Sequence, residues 1–252
     1  MPKPATKRLI GAALVSIGAM LLIVALLSPW YFYDSKWAGG PLGISGTQNA
    51  TYYLGLPSSN GTIHYTCSRS GGVTGCPSQT SYYNAGKNNT GLVAAICFGV
   101  LLAGCAFAIV AGVLGLVFRR NATWAFPVLT FAVLALVLAM AAVVIFAGAL
   151  PGAFSTDGPV VNCGTDLPGP WSSFFGSGTE TGLCGGLAGF SYTWGPLIGW
   201  YLSLGAVAAL LAGVVVMLAN RKDPSPPTVS PTPISRNAPP QASESTAPPG
   251  PK

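Results

Sequence analysis

The chain has 252 residues, of which 50 % are hydrophobic and only 7 % charged. Soluble globular proteins carry about 25 % charged residues, so this composition excludes an ordinary water-soluble enzyme and a disordered chain alike. The net charge of +6 comes from 12 basic and 6 acidic residues, with a single histidine, and its placement along the chain points away from nucleic acid.

Residues 1–8 form a short N-terminus carrying Lys3, Lys7 and Arg8. Residues 9–27 are the first of four apolar runs without Asp, Glu, Lys, Arg or His; the others are 91–118, 124–150 and 196–220. About 20 apolar residues, rising 1.5 Å each, cross roughly 30 Å of hydrocarbon. Only a helix satisfies its backbone within one segment in lipid, so each run is expected to be a transmembrane helix. The second and third are longer than needed and should tilt or protrude. The first is longer than a signal-peptide core and no small-x-small site precedes Ser28-Pro29-Trp30, so it reads as uncleaved. Trp30, Tyr31, Tyr33, Trp124, Trp194, Trp200 and Tyr201 read as boundary aromatics. Pro196 suits the first turn of the fourth helix.

Residues 28–90 form a long first loop with strand signals at 50–56, 62–67 and 79–83. Asn60-Gly61 between the first two is a hairpin signal. The second loop, 151–195, is glycine-rich and shows no strand periodicity. Residues 119–123 make a tight turn. Residues 221–252 hold ten prolines from Asp223 onward and are expected to be a disordered tail that a polyproline-binding groove could read.

Lys3, Lys7, Arg8, Arg119, Arg120, Arg221 and Lys222 fall on one side of the four runs by connectivity, and Arg236 and Lys252 join them in the tail. That side is expected to be cytoplasmic, with both termini inside and the chain in the plasma membrane. It holds nine basic and two acidic residues; the outer side holds three basic and four acidic ones.

Of six cysteines, Cys97 and Cys105 lie inside the second run as small apolar fillers. Cys67, Cys76, Cys163 and Cys184 lie in the outer loops, an even count on the oxidising side that argues for disulfides. Three pairings are open, and the within-loop one is favoured. Closing the short Cys67–Cys76 loop contributes roughly 2–3 kcal/mol by chain-entropy estimates. Asn49 and Asn60 stand in Asn-x-Thr glycan acceptor patterns on the outer side. Gly104, Ala108 and Gly112, and likewise Gly205, Ala209 and Gly213, recur every fourth residue, which suits bundle packing or self-association.

This organisation resembles the claudin and peripheral-myelin-protein tetraspan superfamily, which includes calcium-channel gamma subunits. The shared features are a short N-terminus, a large first outer loop, a smaller second one and a long third span. Trp30 matches the family's tryptophan near the start of the first loop. Cys67 and Cys76 match its disulfide pair. The family's Gly-Leu-Trp motif reads Gly55-Leu56-Pro57 here, so the resemblance over 1–222 is one of architecture. It implies an all-α transmembrane four-helix bundle capped by a small extracellular antiparallel β-sheet.

Chemistry-bearing residues are few. The lone His64 falls in a predicted strand, and a metal site needs several ligands. Asp157, Asp166 and Glu180 are the acids of the second loop and show no adjacent basic partner. The runs lack the ionisable groups that ion or proton conduction ordinarily uses. Bacterial disulfide-generating quinone reductases also have four spans, but their reactive Cys-x-x-Cys is missing here. No catalytic residue, cofactor or metal is expected. The expected function is structural or interactive: lateral assembly, adhesion, or an accessory subunit, with the bilayer, a second copy or another membrane protein as partner. The candidate surface is Trp30, Trp171, Phe174 and Phe175. The alternatives are a thiol–disulfide redox enzyme using the loop cysteines and a small-solute channel or transporter.

Overall fold

The computed structural model describes residues 4–38, 45–55, 63–69, 78–118, 122–157, 170, 172–180 and 189–219. Four helices are formed by α1 (Pro4–Leu27), α2 (Asn88–Val117), α3 (Ala125–Thr156) and α4 (Ile198–Ala219). All four are long and apolar enough to cross a membrane. Their outward faces carry exposed Ile17, Met20, Leu102, Val137, Val144 and Leu211, while the buried positions are rich in Ala, Gly and Cys. A water-soluble bundle would show polar residues outside, so the bundle is apolar all round.

Small residues set the helix spacing. Each helix packs on two neighbours in the ring α1–α2–α3–α4. Gly104 of α2 sits against Ala135 and Ala139 of α3, Gly112 faces Ser16 of α1, and Gly213 of α4 faces Gly11 and Val15 of α1. A Cβ on Gly213 would come within 2.9 Å of Val15, so the close approach depends on its absence. These stripes therefore serve packing within the bundle; Gly205 alone among them is exposed. Beyond Val117, Phe118 stacks on Trp124 with ring centroids 4.3 Å apart, next to a 3-10 turn (Ala122–Trp124).

At 1.5 Å per residue, the 30 residues of α2 and 32 of α3 measure about 45 and 48 Å. That exceeds a roughly 30 Å hydrocarbon core, and the excess of α3 is where the rest of the fold attaches. Phe146, Leu150 and Phe154 recur at i, i+4, i+8 on one face of α3 and are all buried. α3 continues past Pro151 to Thr156.

Six strands form one antiparallel sheet: β1 (Pro29–Trp37), β2 (Gly46–Tyr53), β3 (Ile63–Arg69), β4 (Gln79–Thr80), β5 (Gly176–Glu180) and β6 (Phe190–Pro196), in the order β4-β3-β2-β1-β6-β5. β2 and β3 overlap the strand signals at 50–56 and 62–67, and β4 is shorter than 79–83 implied. Three strands depart from the sequence expectation. β1 makes a central strand of the residues read as boundary aromatics. β5 and β6 lie in the second loop, which showed no strand periodicity, and so both connections share one sheet. Pro196 ends β6 rather than opening α4, which begins at Ile198.

The reason β5 reads poorly is visible in its pairing with β6. Gly176 lies opposite Trp194 and Gly178 opposite Tyr192. A Cβ at either glycine would fall about 2.5 Å from the facing ring. The aromatic rings of β6 cover the glycines, so an apolar residue on β5 would be redundant there. The same device pairs Gly46 of β2 with Trp37 of β1.

Candidate functional site

The junction of sheet and bundle is built on a β-bulge. The β1–β2 register shifts between Pro29 and Tyr31, so Trp30 and Tyr31 both turn inward in succession. The Trp30 Nε1–H donates to the Ala25 carbonyl at 2.8 Å, and the Trp30 carbonyl accepts from the Leu197 N–H at 2.9 Å. Trp30 thereby ties the end of α1 to the chain entering α4. Its ring meets Phe146 edge-on at 5.1 Å, and Gly199 leaves the room it needs. Tyr31 contacts Tyr52, Phe146, Phe154 and Phe174, with centroid separations between 5.6 and 6.4 Å. Its buried hydroxyl has no hydrogen-bond partner among the described residues.

A second junction joins the two long helices. Asp157 follows the last turn of α3. Its carboxylate accepts from the Asn89 N–H at 2.9 Å, the Asn89 Nδ2–H at 2.8 Å, the Thr90 N–H at 2.8 Å and the Thr90 hydroxyl at 2.7 Å. It thus caps the N-terminus of α2 from 67 residues away, where free N–H groups and the helix dipole favour a negative charge. Burial works against that charge, but the Thr90 and Asn89 hydrogen bonds outweigh it and hold the carboxyl below the usual range. Lys87, just before α2, is buried; desolvation lowers its pKa and the Asp157 charge partly offsets this. Neither residue stood out in the sequence as part of a constellation.

The outward face of the sheet is mainly polar, with Phe32 and Tyr53 as its aromatic members on β1 and β2. It presents Asp34 and Lys36 of β1, Asn49 and Thr51 of β2, Thr66 and Ser68 of β3, and Thr193 of β6. His64 lies on this face with its ring 4.6 Å from Tyr53. Asn49 is exposed, and its amide Nδ2–H donates to the Asp34 carboxylate across the β1–β2 pair.

The residues proposed from sequence as an interaction surface separate here. Trp30 is fully buried, so it braces the junction and presents no outer surface. Phe174 is half-buried between Tyr31, Phe146 and Trp200. Among the described ones, Phe175 alone points outward, 71 % exposed. Trp171 and Asn60 lie outside the described residues, as do Cys76, Cys163, Cys184 and the proline-rich tail. Cys67 lies on β3, beside Gln48 of β2. Cys97 and Cys105 are free thiols buried within α2. Tyr33 and Trp194, read as boundary aromatics, are buried on the inner face of the sheet.

Neither a scan against protein-family models nor a search of curated proteins returns a match to this sequence.

Proposed function

We propose that the chain is a plasma-membrane protein of the claudin-like tetraspan type, with both termini cytoplasmic, that acts by assembly: it presents the sheet's outward face to a neighbouring membrane protein or a second copy. The basic residues grouped at the chain's turn and ends favour this orientation. One observation carries the functional reading. Strands from both connections join in one sheet, and that sheet is seated on the bundle through Trp30, Tyr31, Phe154 and Phe174. Such bracing gives a surface that holds its shape without a ligand, which lowers the ordering cost of association. In this reading Cys67 pairs with Cys76 and Cys163 with Cys184, and the bonds fix the loops that flank the strands.

The test is site-specific photocrosslinking in the native membrane. A photoreactive residue at Thr193 or Phe175 is expected to capture a protein neighbour in discrete bands. One at Ile17 or Val144, on the apolar exterior of the helices, is expected to capture lipid. Discrete protein adducts from the helix positions alone would overturn the reading, as would solute flux through vesicles carrying the purified chain.

A further inference from the structure

The inner face of the sheet carries a hollow separate from the outward face proposed for assembly. Gln48, Ala50 and Tyr52 alternate along β2 and so share that inner face. Ala50 pairs with Tyr33 of β1 on one side and with Tyr65 of β3 on the other. The small alanine is the floor of this row and the two tyrosines are its walls. Ala85 and Lys87, from the chain entering α2, close the space from the helix side. The cavity is about 230 Å³, room for roughly eight waters at about 30 Å³ each. That is below the size of a drug-like pocket and suits one small molecule. Tyr33, Ala50 and Tyr52 are buried while Gln48, Tyr65 and Ala85 are half-buried, so the mouth lies beside the latter three.

The charges at this place are already balanced. Lys87 is engaged and feels the Asp157 carboxylate, so the pair offers nothing to an ion of either sign. What the cavity leaves open is neutral hydrogen-bonding capacity. Tyr52 is only 3 % exposed, yet its hydroxyl makes no hydrogen bond among the described residues, and neither does the Tyr65 hydroxyl or the Gln48 side-chain amide. A buried hydroxyl left unpaired is costly, so these groups call for something that completes them. Burial raises the Tyr52 and Tyr65 pKa values, which keeps both phenols protonated. Each phenol both donates and accepts, and so does the amide. An anion would use only the donors and a cation only the acceptors. An alcohol uses both. The Tyr33 hydroxyl is bonded to Ser35, so Tyr33 contributes its ring, and the aromatic walls suit the C–H faces of a sugar ring.

We propose that this cavity binds a neutral polyhydroxylated molecule of the size of one monosaccharide, with the Tyr52 and Tyr65 hydroxyls and the Gln48 amide pairing its hydroxyl groups and Ala50 leaving the room for its ring.

The full-length chain, purified in an amine-oxide detergent that carries no sugar of its own, is titrated at neutral pH with glucose, galactose and myo-inositol, and with the charged analogues glucuronate and glucosamine. Saturation-transfer NMR reads the binding, and thermal unfolding checks that each variant is folded. Saturable transfer to at least one of the three neutral compounds is expected, with both charged analogues at least about tenfold weaker, because a charge would enter the cavity without a partner. Ala50→Leu fills the hollow and is expected to abolish the signal. Tyr65→Phe and Tyr52→Phe remove hydroxyls that have no partner in the fold, so they serve if Ala50→Leu fails to fold; each is expected to weaken binding severalfold, the loss of one neutral hydrogen bond. No saturable signal from any neutral compound, equal binding of a charged analogue, or a signal of wild-type strength in Ala50→Leu or in both phenylalanine variants overturns the proposal.

Discussion

Asp157 and Thr90 are the tightest link between the two long helices: one carboxylate oxygen accepts from both the Thr90 N–H and the Thr90 hydroxyl, at 2.8 and 2.7 Å. The contact fixes where α3 ends relative to where α2 begins. It also carries a pH signature. An unfolded aspartate titrates near about 3.9, and the folded carboxyl lies lower. A depressed folded pKa adds stability that is complete above the unfolded value and fades as pH falls through the folded one.

Asp157→Ala should therefore lower stability by about 1 kcal/mol, the usual cost of removing a helix cap. Thermal unfolding in detergent checks this. The wild-type midpoint should be level above about pH 5 and fall below about pH 4, and the difference between wild type and Asp157→Ala should shrink over that acid range. A difference that stays constant down to low pH would mean that the carboxylate charge is not what holds the cap.

Trp30 and Gly199 should behave as one unit. Gly199→Val forces a Cβ to within about 2.5 Å of the Trp30 ring and is expected to cost about 1–3 kcal/mol as overpacking. Trp30→Ala is expected to cost about 3–5 kcal/mol. In the double variant the valine has room, so the two costs should not add. Simple additivity in denaturant unfolding would place the two side chains apart.

On β5, the two faces should respond differently to the same change. Gly178→Val would displace the Tyr192 ring and loosen the edge of the sheet, raising proteolysis between residues 176 and 196. Ser177→Val, on the exposed face, should stay within about 0.5 kcal/mol of wild type. Equal sensitivity at both positions would contradict the pairing of Gly178 with Tyr192.

The orphan hydroxyl of Tyr31 gives a change in the opposite direction. Tyr31→Phe keeps the ring contacts with Phe154 and Phe174 and removes a buried donor, so stability should hold or rise by up to about 1 kcal/mol. A clear loss in the unfolding midpoint would show that the hydroxyl contributes a hydrogen bond of its own.

The sequence made the helices legible and much of the sheet illegible, and the same physics explains both. A helix long enough for a bilayer announces itself by uninterrupted apolar residues, so 91–118 and 124–150 fall within a few residues of α2 and α3. The first two strands after β1 showed β-branched and aromatic runs such as Thr62-Ile63-His64-Tyr65-Thr66. β5, reading Gly-Ser-Gly-Thr-Glu, has no such run, because Trp194 and Tyr192 fill the space its own side chains would occupy. β1 was obscured because its aromatics also fit a membrane boundary. The Asp157 cap was invisible for another reason: its partners, Asn89 and Thr90, sit 67–68 residues away, and only the relative lengths of α2 and α3 bring them together. The Tyr33–Ala50–Tyr65 row needs the β1–β2–β3 register before its hollow can be seen.

The central claim is that both long connections meet in one sheet on the far side of the membrane from Thr123. Single cysteines at Asn49, Thr193 and Thr123 would be probed on intact cells with a membrane-impermeant maleimide. Labelling at Asn49→Cys and Thr193→Cys without permeabilisation, and at Thr123→Cys only after it, is the predicted result. Labelling of Thr123→Cys on intact cells, or of only one of the two sheet positions, would contradict the account.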